Sequence, residues 1–153
     1  METSSEIITL VKIIEHRQRV ANLLRKLARD LEDRADRHDL SKFDLEEFGG
    51  FCQLDNARKY EYGSPEYEAI VHNNNAARLH VSRNSHHPEY WPDGILSMPL
   101  GDILEMLCDW EVARQQRDTE TDIDKTWKTR QDRFGLSDYE TRFLRQIWEA
   151  WEV

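Results

Sequence analysis

Apolar residues along this chain recur at three- and four-residue steps, and no stretch of useful length alternates apolar with polar. From about Glu6 to Arg37 the series Ile7, Leu10, Val11, Ile14, Val20, Leu23, Leu24, Leu27 and Leu31, with charge between, predicts one amphipathic helix with room for a bend. Thr3 followed by Glu6 reads as a capping box at its start. A second such signature, Asp44 with Glu47, opens a short helix that Gly49-Gly50 is expected to close. His38 to Phe43 therefore falls at a junction between helices.

Ser64-Pro65 sets a capping side chain before a proline at the first helical position. With Tyr67, Ile70, Val71 and Leu79 on helical spacing, it predicts a helix from Pro65 to about Asn84. Three prolines and a glycine between His86 and Pro99 predict a loop or broken turn. Leu100, Ile103, Leu104, Leu107 and Trp110 mark a further helix to about Arg117, and a weaker one lies near Trp127. Ser137 with Glu140 caps a final helix carrying Phe143, Leu144, Ile147, Trp148 and Trp151. The class is all-α, with five to seven helices. The expected organisation is a single domain over residues 1–153, its core about 6–117 and a C-terminal helical extension about 125–153.

Composition narrows the partners. The 153 residues suit one domain with a proper core. A formal net charge of -9 would repel duplex nucleic acid or an anionic membrane, so a phosphate-bearing ligand must be caught locally, by a metal and a few basic side chains. Cys52 and Cys108 lack CxxC spacing, and Cys108 sits in an apolar helical pattern that suggests packing. With no leader-like segment and no apolar run long enough for a bilayer, the expected compartment is the cytoplasm. Disorder is expected only near Thr119 to Asp124.

Candidate chemistry centres on His38-Asp39-Leu40-Ser41-Lys42. An imidazole and a carboxylate on adjacent residues suit a hard or borderline divalent ion, and an aspartate can bridge two metals. Alone, the dipeptide reads equally as a helix end with Asp39 or Ser41 as a cap. What surrounds it adds weight: His16 on the preceding helix, His80, His86 and His87 between, and Asp109 on a later helix. His80 and Arg83 share a helix face, three residues apart. Of the adjacent pair His86 and His87, one is expected to be a ligand, and residue order leaves open which. His72, offset from His80 by about 80° around a helix, reads as an ordinary polar histidine. Glu105 and Asp109 share a helix face, and Leu107, Cys108 and Trp110 suggest that Asp109 is near buried surroundings, where an unpaired carboxylate is costly. Lys42 and Arg83 are the candidates for phosphate contact. Glu46 or Glu47 could serve as a general base, although capping competes for Glu47.

This order, a histidine, a His-Asp pair and a distant aspartate, resembles the HD-domain superfamily of metal-dependent phosphohydrolases. His16, His38, Asp39 and Asp109 match its four-ligand core, and His80 and His87 match the two further histidines of its two-metal members. In the superfamily's cyclic-dinucleotide phosphodiesterases a lysine follows the His-Asp pair as Lys42 does here, and His86-His87-Pro88-Glu89-Tyr90-Trp91-Pro92-Asp93-Gly94 is similar to a later motif of theirs. Inserted prolines and the lack of a following Gly-Tyr-Pro leave that substrate out. The strings HDLSKF, RNSHHPEYW and EMLCDW also resemble an uncharacterised family of small phage and bacterial proteins, over His16 to Asp109.

The resemblance implies hydrolysis of a nucleotide or related phosphate ester by metal-activated water, with one or two ions (Mn, Fe, Co, Ni, Zn or Mg). The metal ligands would be His16, His38, Asp39, His80, His87 and Asp109, and the candidate catalytic residues Asp39, Lys42 and Arg83. Other readings are an HD-like di-iron oxygenase, a non-catalytic nucleotide- or partner-binding accessory protein, or a purely structural metal. Phe143, Trp148 and Trp151 either close the core or form a homodimer contact.

Overall fold

A computed structural model describes residues 2–116 and 122–151, the side chains of residues 2–4 and 56 apart. Of the stretch expected to be disordered, residues 119–121 lie outside the described residues, whereas Asp122 caps a helix that Ile123 and Asp124 begin, so that half is helical. Among those described there are seven α-helices and no strand, so the all-α expectation holds. By its internal contacts the chain divides into two units, Met1–His38 and Asp39–Val153.

The first unit is helix α1, Glu2–Arg37. Its 36 residues span about 54 Å at the usual rise per residue. The helix is already formed at Glu2, so Thr3 lies inside it and does not cap it. At the other end Arg34 and Arg37 complement the negative pole of the helix dipole. Arg34 Nε donates to Asp30 Oδ2 at 3.0 Å, and Arg37 Nε to the Asp33 carbonyl at 3.0 Å.

The second unit holds α2 (Leu45–Leu54), α3 (Pro65–Asn73), α4 (Asn75–Arg83), α5 (Leu100–Gln115), α6 (Ile123–Phe134) and α7 (Asp138–Glu149). Its apolar core draws Ile95 and Met98 from the turn before α5, Met106, Leu107 and Trp110 from α5, Trp127, Leu144 and Trp148 from the last two helices, and Leu136 from the link between them. Trp110 stacks on Phe134 with centroids 5.2 Å apart, and Trp127 meets both Trp110 and Trp148 edge-on. The buried Arg130 lays its guanidinium over Trp110 and Trp127, and its Nη2 donates to the Trp110 carbonyl at 2.8 Å. Gly135, at φ 62°, stops α6 in the left-handed conformation, and the Ser137–Glu140 capping box starts α7 as the sequence predicts. In α7, Leu144 and Trp148 are core residues, whereas Phe143, and Trp151 just past its end, are exposed.

Three local expectations are corrected. Gly49-Gly50 does not end α2, which runs on to Leu54, because Gly50 is where α2 meets α4. A Cβ at Gly50 would collide with the Cβ of Ala76, so the missing side chain serves close packing rather than a stop. The helix expected from Pro65 to Asn84 is two helices, divided at Asn74. Asn74 leaves helical geometry and its Oδ1 accepts from the Ala76 and Ala77 amides at 2.8 and 3.2 Å, while its Nδ2 donates to the Gly50 carbonyl at 3.2 Å. Cys108 is exposed rather than packed, and both cysteines are free thiols.

Candidate metal centre

The crossing of α2 and α4 and the loop that follows α4 bring four side chains to one point. Asp39 opens the second unit in the left-handed conformation, φ 57°, the only non-glycine residue to do so among those described. A 3-10 turn, Leu40–Phe43, follows it, closed by the Lys42 amide donating to the Asp39 carbonyl at 2.9 Å. That reversal is what aims the Asp39 carboxylate back toward α4. His80 comes from the last turns of α4 and is buried. His86 and His87 follow in a loop held by Trp91 Nε1 donating to the Ser85 carbonyl at 2.7 Å and by Ser85 Oγ bonded to the buried Asp102 of α5.

Asp39 Oδ1 stands 3.1 Å from His80 Nε2 and 3.5 Å from His86 Nε2. The His80 and His87 rings are 4.9 Å apart at their centroids, and those of His86 and His87 4.3 Å. One ligand atom from each of Asp39, His80, His86 and His87 lies within 4.8 Å of the other three. Ligand atoms about a tetrahedral zinc-sized ion would be roughly 3.3 Å apart, so a modest contraction would close the set. The Nε2 atoms of His80 and His87 are buried and make no hydrogen bond. A buried polar nitrogen without a hydrogen bond is costly, and a ligand shared by the two would offset that cost.

Residues 6–150 match a family of unknown function, DUF5662. The chain belongs to DUF5662. No curated protein and no solved structure matches it. The matched span of this DUF5662 chain contains every residue of the cluster.

Charge and burial suit the cluster to a cation. Burial works to raise the Asp39 carboxyl, but its polar contacts with His80 and Lys42, and the positive charge of Lys42, win and hold it well below the usual carboxylate range. Burial, followed by the neighbouring His86 and His80, pushes His87 down to about 2, so its ring is neutral at any physiological pH. The neutral imidazole of His87 beside an ionised Asp39 is the donor state a borderline divalent ion requires.

Of the candidate residues, Asp39, His80 and His87 converge, and His86 joins them where only one of the adjacent pair was expected to. Asp109, half-buried on α5, offers a carboxylate oxygen within 4.8 Å of one of Asp39's. Glu105, one turn earlier, sets Oε1 3.2 Å from His86 Nδ1. Lys42 Nζ is bonded to Asp39 Oδ2 and lies 5.1 Å from the centroid of Phe51. Arg83 turns to the acids of α2, with Nη2 2.6 Å from Glu46 Oε2 and Nη1 3.4 Å from Glu47 Oε1. His72 is exposed and pairs with Glu68 at 3.2 Å, as an ordinary surface histidine would. His16 lies in the middle of α1 and His38 closes the first unit; the cluster is built from residues 39–153 alone.

Residue order did not single out Ser41, Asn84 or the fully buried state of Glu47. Glu47 does not cap α2: Asp44 makes no side-chain cap bond there, and Glu47 points inward. The available signal was periodicity. Glu47 shares the i, i+3, i+4, i+7 face of α2 with Gly50, Phe51 and Leu54, the inward face, so its charge lies where apolar residues are the rule.

Proposed function

We propose that this chain is a metal-dependent hydrolase of phosphate esters, with a nucleotide or related molecule as substrate, working on the cluster of Asp39, His80, His86 and His87. The observation that carries the reading is the convergence of three imidazoles on one carboxylate, with the buried Nε2 atoms of His80 and His87 lacking any hydrogen bond. The order of these residues along an all-helical chain, and their resemblance to the HD-domain superfamily, support it further. A divalent ion held there would acidify a bound water and neutralise charge on phosphoryl oxygens. Asp39 would hold the ion by Oδ1 while Lys42 fixes Oδ2, and Glu105 would orient His86 through Nδ1. Lys42, the nearest cation, could shift from Asp39 to a substrate phosphate as that charge arrives.

Elemental analysis of the purified protein, then a nucleotide panel with added Mn or Co, compares wild type with Asp39→Asn. Bound metal and metal-stimulated phosphate release, both lost in the variant, are the expected results. A folded wild type that holds no metal and releases no phosphate overturns the reading.

One observation favours a second reading. Both cations expected to receive phosphate are engaged by carboxylates, Lys42 by Asp39 and Arg83 by Glu46 and Glu47, and the donor set is rich in nitrogen. Such a set suits iron, and an HD-like oxygenase would show oxygen consumption with reduced iron and no phosphate release from any nucleotide.

A further inference from the structure

Behind His80 lies a closed set of hydrogen bonds whose protons can be counted. His80 Nδ1 has three polar neighbours: Glu47 Oε2 at 3.1 Å, Ser41 Oγ at 3.3 Å and Asn84 Nδ2 at 3.0 Å. Asn84 Nδ2 carries two protons. One goes to the His80 carbonyl at 2.8 Å and the other to Ser41 Oγ at 2.8 Å, so none remains for the ring. Turning the amide over would set its oxygen against the His80 carbonyl oxygen, which fixes the orientation. The single proton of Ser41 goes to Glu47 Oε2 at 3.0 Å. Neither Asn84 nor Ser41 has a proton left for Nδ1, and Glu47 Oε2 accepts, so the proton between His80 and Glu47 belongs to the ring.

We infer that Glu47 is a positioning residue: it accepts the Nδ1 proton of His80, and so commits the Nε2 lone pair of that ring to the metal centre. The inference rests on the metal-binding reading above and adds to it the residue that sets the donor state of one ligand. Glu47 is 0% exposed and His80 4%, so water does not compete for this bond. Phe51 packs edge-on against the imidazole, with centroids 5.3 Å apart. Arg83 Nη1 donates to the other carboxylate oxygen, Glu47 Oε1, at 3.4 Å. A carboxylate behind a ligating histidine raises the basicity of the metal-facing nitrogen, and its loss typically weakens metal binding by roughly 10- to 100-fold. Glutamine at this position keeps shape and volume, but offers a neutral oxygen or an N–H in place of the charged acceptor.

The test is a zinc titration of the full chain, wild type against Glu47→Gln, read by nitrogen NMR of the histidine rings and by a competing chelator. Wild type is expected to bind zinc through His80 Nε2, with a strongly hydrogen-bonded Nδ1 proton. The variant, folded by circular dichroism, should bind zinc roughly 10- to 100-fold more weakly and lose that proton signature. Zinc bound equally well by both, with the same ring signature, overturns the role of Glu47 and leaves the metal centre standing. A folded wild type that takes no zinc overturns the metal centre and this inference with it. Should Glu47→Gln fail to fold, the wild-type spectrum still decides: a ligating Nδ1, or an Nδ1 without a proton, refutes the assignment.

Discussion

The two ends of the second unit are held by different forces. From Ile95 onward the interior is mainly apolar, built around Trp110, Trp127 and Trp148, with Asp102, Thr126 and Arg130 the buried polar groups among the described residues. From Asp39 to His87 the buried groups include Glu47, His80 and His86, and the fully apolar ones are only Ala57 and Ala76. The first region is stabilised by removing carbon from water, which tolerates imprecision. The second depends on each polar group finding its partner, because a buried donor or acceptor left alone costs about 1–3 kcal/mol. In this region the Nε2 atoms of His80 and His87 make no hydrogen bond, a cost that the proposed metal would offset.

Substitutions can separate these forces. The largest effect is expected from Trp148→Ala, a loss of about 3–5 kcal/mol in urea unfolding, with the remaining folded fraction still binding metal. If metal binding fell while the fold held, the two regions would not be separable as described. Saturating metal should stabilise wild type by about 2.7 kcal/mol at a hundredfold excess over Kd, seen as a rise in Tm, and His87→Ala should abolish that rise. An equal rise in both proteins would place the bound ion elsewhere.

Gly49 and Gly50 give a finer contrast. Gly50→Ala should destabilise by about 1–3 kcal/mol, since the new methyl meets Ala76. Gly49→Ala meets nothing within 4 Å and should stabilise by up to about 1 kcal/mol through helix propensity. Chemical denaturation that gave both the same sign would refute the α2–α4 approach. Ser137→Ala, which removes a cap in the apolar region, should cost about 1 kcal/mol and leave metal affinity unchanged.

Much of the apolar region was legible in the sequence, because its information is local. The period of Leu100 to Trp110 and the Ser137–Glu140 box each sit within one helix, and both appear as read. The polar region was legible in its ligand types and not in its supports. Asp39, His80 and His87 announce themselves as chemistry, but Glu47 resembles an N-terminal capping partner until α4 is laid across it. Gly49-Gly50 resembles a stop for the same reason: a glycine that ends a helix and one that admits a neighbouring helix are spelled alike. Asn74 was hidden in the run Asn73-Asn74-Asn75, where any member could cap and only the packing of α2 selects one. That the His86 and His87 rings meet the same point follows from the fold of the loop around Ser85 and Trp91, which no spacing rule encodes.

The left-handed backbone of Asp39 narrows what natural variation can do at that position. Asparagine and glycine adopt such a φ readily and would keep the turn, while carrying no negative charge. Glutamate would keep the charge and strain the turn, and branched side chains would lose both. A saturation library at residue 39 should therefore split into three groups: aspartate alone folded and metal-loaded, asparagine and glycine folded but empty, and the rest depleted at the level of folding. Few positions on the chain leave so small a path for neutral drift, and one fixed by two independent demands is a sensitive place to look when relatives of this protein are compared.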